Sequence, residues 1–136
     1  MILVDTNVIL DVVENDPVWA DWSEQQLEKA SLQTILCINE IIYAELSIAF
    51  EAIEELELVL KNGEFRVEPI PREALFLAGK AFVNDRKRKG TKTGVLPDFL
   101  IGAHAAVAEL PLLTRDTKRY ETYFPTLELI APSRTK

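Results

Sequence analysis

The sequence predicts an α/β protein built on a parallel sheet, and three observations carry that expectation. Short apolar runs rich in Ile, Leu and Val recur at 2 to 5, 33 to 38, 65 to 70, 111 to 114 and 127 to 130. Segments of helical periodicity separate them, at about 7 to 13, 17 to 31, 40 to 61, 72 to 89, 97 to 109 and 117 to 123. Polar turn formers, a carboxylate among them, follow the first and fourth runs. Strands alternating with helices imply crossover connections and a sheet covered on both faces. In such sheets ligands bind at the carboxyl ends of the strands, near the point where strand order reverses.

The bulk properties narrow the class. A chain of 136 residues fits one domain, 1–136, and a compact domain of this size buries roughly two thirds of the surface its unfolded chain exposes. Cys37 is the only cysteine, which excludes an internal disulfide, a redox pair and a multi-cysteine zinc site. No stretch approaches the roughly 20 apolar residues of a membrane span, and the start lacks the basic segment of a signal peptide. A soluble, cytoplasmic protein is expected. The net charge of −7 argues against a simple electrostatic nucleic-acid binder. Yet Arg86, Lys87, Arg88, Lys89 and Lys92 crowd five positive charges into seven positions. Such a run suits a solvated helix end, where cations offset the helix dipole, and equally a phosphate contact.

Taken in order, the elements place acids where chemistry often sits. Ile2, Leu3 and Val4 form the first strand, and Asp5 closes it before a helix begins with Val8, Ile9 and Leu10. Asp5 reads as a site residue or as a helix N-cap. The run at 33 to 38 holds Cys37 as a buried strand thiol. The helix that follows, read as continuous over 40 to 61, puts Ile41, Ile48, Ala52, Leu56 and Val59 on one face, at about 100° per residue. Glu45 lands within that apolar stripe. An ionised carboxylate there is costly unless paired, protonated or metal-bound, or unless the helix breaks and turns it outward, and no Lys or Arg occurs between Lys29 and Lys61.

Further on, Leu96-Pro97-Asp98 reads as a helix start, with Pro in the first turn, where its missing N–H is not needed. The apolar body from Phe99 to Leu110 marks a buried helix, and Gly102, Ala105 and Ala106 share the face of Asp98, so that the helix could approach the sheet closely. Asp98 at a helix N-terminus could serve the dipole alone. His104, the only histidine, points away from that face and reads as a packed or half-exposed side chain rather than a catalytic base. Leu112, Leu113 and Thr114 make a short strand, and Asp116 lies just beyond its end, as a site residue or an N-cap.

Four carboxylates without a histidine or cysteine partner suggest one kind of chemistry. Gathered in a cleft, they raise one another's pKa unless a cation neutralises them, and hard oxygen donors suit Mg²⁺ or Mn²⁺. An ion so held can polarise a phosphate and activate water, which points to phosphodiester hydrolysis.

With these residues in place, the sequence resembles a PIN-domain ribonuclease of the VapC toxin type over essentially its whole length. Asp5-Thr6-Asn7 matches that family's opening acidic motif, and Asn39 through Leu46 matches the helix bearing its second acid. Pro97-Asp98-Phe99-Leu100-Ile101 with the Ala-rich helix matches the third, and Thr114-Arg115-Asp116 the fourth. The resemblance implies a single PIN-like domain, a five-stranded parallel sheet flanked by helices on both faces, and an endoribonuclease dependent on Mg²⁺ or Mn²⁺. It also implies a homodimer and a cognate antitoxin protein. By position, Asp5, Glu45, Asp98 and Asp116 would form the acidic site, with Asp5, Asp98 and Asp116 holding the metal. Thr114 would hydrogen-bond a carboxylate or water, and Asn7 would lie behind the acids. The run Arg86 to Lys92 would contact RNA.

Other functions remain open to the sequence. A non-catalytic RNA- or partner-binding module could use the same fold, though all four acids are present. A phosphate-accepting signalling domain would want a Lys after a late strand, where Arg115 stands, and a two-aspartate phosphatase would want Asp-x-Asp where the chain has Asp5-Thr6-Asn7.

Overall fold

A computed structural model describes residues 1–89 and 96–133. The chain runs β1 (Ile2–Val4), α1 (Thr6–Val13), α2 (Ala20–Ser31), β2 (Leu36–Ile38), α3 (Glu40–Ser47), α4 (Ile53–Asn62), β3 (Arg66–Val67), α5 (Arg72–Lys89), α6 (Leu96–Ala108), β4 (Leu112–Leu113), α7 (Thr117–Tyr123) and β5 (Leu129–Ile130). The strands form one parallel sheet of five, ordered β3-β2-β1-β4-β5. This is the α/β architecture and the strand count expected.

The first strand occupies the centre because it is apolar throughout. All residues of β1 and β2 are buried, although successive side chains point to opposite faces, so both faces are covered at the middle of the sheet. The backbone of β1 is shared between its neighbours: Ile2 N–H donates to Ile35 O at 2.9 Å, while Leu3 N–H donates to Pro111 O at 3.0 Å. Strand order reverses across β1, with β2 on one side and β4 on the other. The carboxyl ends of β1 and β4 therefore open side by side at the switch point, where these sheets bind ligands. Cys37 is fully buried in β2 as expected, and burial pushes its thiol up to about 11.

Two expectations fail for local reasons. The helix over 40 to 61 is two helices. The last N–H groups of α3 turn to i→i−3 acceptors, with Ile48 donating to Glu45 O at 3.3 Å and Ala49 to Leu46 O at 3.0 Å, the tight ending common at helix C-termini. A new helix starts beyond the break because Glu55 reaches back, its Oε1 accepting from Glu51 N–H at 3.0 Å and Ala52 N–H at 3.1 Å, as in a capping box. The continuous apolar stripe does not exist: Ile48 is 86% exposed. The strands are also shorter than the apolar runs. Gln33 and Thr34 donate back to Ala30 O at 3.0 Å and so finish α2. Glu68 N–H still reaches Ile38 O at 2.8 Å, but Pro69 has no N–H to continue the ladder.

Gly102 also departs from expectation. A Cβ there would collide with the Phe124 ring and come within 3.2 Å of Tyr120. The small residue admits the aromatic side chains of α7 and its C-cap rather than bringing α6 against the sheet. Among the described residues no helix is long and apolar enough to cross a membrane.

Candidate active site

Asp5 is the fixed point of the site. Its N–H donates to Leu113 O at 2.9 Å, which pins the end of β1 to β4. Its side chain caps α1, Oδ1 accepting from Thr6 N–H at 2.8 Å. Oδ2 accepts from Thr114 Oγ1 at 2.8 Å and from the Tyr120 hydroxyl at 3.1 Å, with Asn7 Nδ2 at 3.4 Å. The carboxylate is 5% exposed. Burial, with a smaller push from the nearby Glu45 charge, raises its pKa to about 6 against the pull of the bonds from Thr114, Thr6 and Tyr120. The cap role and the cleft role, alternatives in the sequence, are thus held by one side chain.

Thr114 connects two acids. Its hydroxyl donates to Asp5 and accepts from Asp116 N–H at 3.0 Å. Asp116 occupies the N-cap position of α7 yet makes no capping bond with its side chain, so its 43% exposed carboxylate is left for the cleft. Asn7 supports the same turn, Oδ1 accepting from Arg115 N–H and Nδ2 lying near Thr114 Oγ1, each at 3.4 Å.

Glu45 projects from α3, where its Oε1 accepts from Thr6 Oγ1 at 2.5 Å. It does not point into a core. The buried face of α3 is carried by Ile42 and Leu46, and Glu45 stands at its margin. The helix is aimed by Asn39 at the end of β2. The fully buried Asn39 accepts from Ile42 N–H at 2.9 Å and its Nδ2 lies 3.1 Å from His104 Nδ1. Burial lowers the His104 pKa, so the ring is neutral at pH 7 and Nδ1 can accept from the amide. The sole histidine is a packing and bridging residue between α3 and α6.

Asp98 lies in the first turn of α6. Burial raises its pKa, the Arg119 guanidinium opposes this, and Asp116 raises it again. Arg119 Nη1 stands 2.6 Å from Asp98 Oδ2 and 3.8 Å from Asp116 Oδ2.

The four acids therefore come from four parts of the chain and line one cleft of about 450 Å³, together with Thr6, Asn7 and a fifth carboxylate, Glu14, that the sequence reading did not single out, and with Leu10, Ile48 and Ala49 on its apolar side. The donor set is all oxygen and anionic, and burial leaves Asp5 short of compensation, which fits a hard divalent cation. It is not a ready cage. Among the described residues, no three His, Cys, Asp or Glu side chains are gathered closely enough to hold one ion; Asp98 is turned to Arg119 and Glu45 to Thr6.

The basic run is a different matter. Arg86 lies over the Phe82 ring at 4.4 Å and Lys87 is exposed on α5; neither lines the cleft. Arg88 and Lys89 end α5, and Lys92 lies outside the described residues.

Four further contributors were not singled out from the sequence. Thr6 binds Glu45, Tyr120 binds Asp5, Arg119 binds Asp98, and Asp11 binds Arg115 through two bonds of 2.7 and 2.8 Å. Asp11 carried a readable signal, a carboxylate beside Val8 and Ile9 in a short apolar helix. Arg119 carried another, at i+3 from Asp116 on a helix.

Solved structures share this fold. The chain is similar to VapBC2 from Rickettsia felis bound to a promoter DNA fragment, at 22% identity and a TM-score of 0.73, covering 98% of this chain and 100% of that one. It is similar to VapBC-1 from nontypeable Haemophilus influenzae, at 22% identity and a TM-score of 0.70, covering 96% and 98%. DNA-bound VapBC from Salmonella typhimurium matches at 24% identity and a TM-score of 0.67, again covering 96% and 98%. No curated protein matches the sequence. The PIN domain profile matches residues 2–125, nearly the whole of the sheet and all four acids, and the chain belongs to the PIN domain family.

Proposed function

We propose that this protein is an endoribonuclease dependent on Mg²⁺ or Mn²⁺, hydrolysing RNA phosphodiester bonds as the toxin of a toxin-antitoxin pair. One observation carries the reading: carboxylates from β1, α3, α6 and the β4–α7 turn line a single cleft at the switch point. Asp5, Asp98 and Asp116 would hold the ion, which when bound supplies a Lewis acid for the phosphate and a lowered pKa for water. The protein's own part is to orient. Thr114 and Asn7 bond the Asp5 carboxylate, Thr114 also takes the Asp116 backbone N–H, and Thr6 bonds Glu45.

The toxin reading is supported by the similar structures, which include a toxin-antitoxin complex from Klebsiella pneumoniae and several VapBC complexes. A cognate antitoxin, a homodimer and a cytoplasmic setting belong to the same reading. So does RNA contact by the basic run from Arg86 to Lys92, of which Arg86 and Lys87 do not line the cleft.

The test is incubation of purified protein with total RNA and Mg²⁺ or Mn²⁺, mapping new 5′ ends beside EDTA and Asp98→Asn controls. Discrete cuts that vanish in both controls support the nuclease. Cuts that persist in EDTA overturn metal dependence, and the absence of cuts with either metal favours a non-catalytic binding module on this fold.

A further inference from the structure

Among the described residues, Arg119 is the one cation in ion-pair contact with any of the four acids. It projects from α7 between two of them, bonded to Asp98 at 2.6 Å and close to Asp116 at 3.8 Å. Its charge is permanent, because a guanidinium does not lose its proton in proteins. Its side chain is 34% exposed, so it can swing toward solvent without unpacking a core.

We propose that Arg119 is a positioning residue that serves as a built-in counter-cation, holding Asp98 and Asp116 in the metal-free protein and exchanging places with the divalent ion. The inference rests on the metal-site reading above. Two cations on one carboxylate oxygen repel strongly in a partly buried cleft, so an ion taking Asp98 must displace the guanidinium. The same contact explains why the acids are not already gathered as a cage, since Asp98 is committed to α7. It also keeps α6 and the β4–α7 turn together before any ion arrives, when Asp98 and Asp116 would otherwise repel.

The consequence is a trade. Arg119 stabilises the empty site and weakens its affinity for metal. An ion pair of this exposure contributes on the order of 1 kcal/mol, which corresponds to about a fivefold change in a dissociation constant.

Mn²⁺ binding to the EDTA-treated full chain, followed by titration calorimetry, tests this, with melting temperature measured in EDTA and at saturating Mn²⁺. Arg119→Ala should bind Mn²⁺ about fivefold more tightly, melt lower than wild type in EDTA, and match it when loaded. Arg119→Lys, which keeps the charge, should return affinity toward wild type. Lys118→Ala, removing an exposed neighbouring charge, controls for the general field and should change affinity less than about twofold. Equal or weaker binding by Arg119→Ala, or equal tightening by Lys118→Ala, overturns the exchange while leaving the metal site standing. If wild type and all variants bind no Mn²⁺, the metal reading itself falls and the exchange with it.

Discussion

Arg115 grips Asp11 with both arms of its guanidinium, Nε at 2.7 Å from Oδ2 and Nη2 at 2.8 Å from Oδ1. Asp11 is 2% exposed and also accepts from the Ser23 hydroxyl at 2.8 Å, while Arg115 lies over the Trp19 ring at 5.4 Å. This network ties the turn carrying Thr114 and Asp116 to α1 and α2. Charge-assisted bidentate pairs are the strong ones. Asp11→Asn, which removes the charge and half the fork, should lower unfolding free energy by about 1.5–3 kcal/mol, read from urea midpoints. It should also reduce RNA cleavage, although Asp11 does not line the cleft. Full activity in a destabilised Asp11→Asn would show that the turn holds its shape without the fork.

Asp5 and Asp98 should both gain stability on neutralisation in the metal-free protein, Asp5 by more. The folded-state pKa of Asp5, about 6, lies above its ordinary 3.8. The unfolded chain therefore loses its proton first as pH rises, and Asp5 destabilises the fold increasingly between those values and fully above them. Asp5→Asn should be more stable than wild type in EDTA near neutral pH, by at most about 3 kcal/mol, with the gain fading toward about pH 4. Asp98→Asn also removes an acid whose pKa burial raises, but it gives up the Arg119 pair, so its gain should be the smaller of the two. A gain for Asp5→Asn that does not vary with pH would count against the burial account.

His104 should give stability a slope of the other sign. Burial lowers its pKa, with Glu40 and Glu68 opposing more weakly. The unfolded chain takes up a proton near 6.5 while the folded ring stays neutral, so stability is lost as pH falls below that value. Comparing urea midpoints at about pH 7.5 and about pH 5.5, wild type should lose more than His104→Gln, which removes the titration. The same loss in both would assign the acid sensitivity to other groups.

Gly102→Ala should be costly despite adding one methyl. Its Cβ would strike the Phe124 ring, which is 6% exposed, and crowd Tyr120, which donates to Asp5. Overpacking of this kind costs about 1–3 kcal/mol. Because the displaced ring neighbours Tyr120, the variant should also lose metal-dependent cleavage at temperatures where it remains folded. Wild-type cleavage would mean that Phe124 yields alone.

Much of this was legible because it depends on local patterns. The apolar runs mark the strands, and the carboxyl-end rule places Asp5 and Asp116 at one edge of the sheet. Glu45 was singled out on partly mistaken geometry. The wheel placed it in a stripe with Ile48, yet α3 ends at Ser47 and Ile48 is exposed; what drew attention to Glu45, a carboxylate far from any cation in sequence, survived the break. That break was not legible, since Ser47-Ile48-Ala49-Phe50 contains no Gly or Pro and its cause is the reach of Glu55 back over two N–H groups. Arg119 and Tyr120 are not legible for the opposite reason. Their partners are distant in the chain, Asp98 by 21 positions and Asp5 by 115, and no periodicity connects such pairs.

The placement of β1 at the middle of the sheet has a kinetic meaning. Its neighbour β4 enters the chain more than a hundred residues later, with Leu3 paired to Leu112 and Val4 to Leu113. Pairings so remote in sequence form slowly and late, and the acids at the ends of β1 and β4 meet only when that pairing closes. A nascent or partly folded chain thus carries no assembled centre. RNA cleavage during refolding should lag the gain of helical signal and rise together with β1–β4 closure, so that a cell meets the activity only after the whole sheet exists.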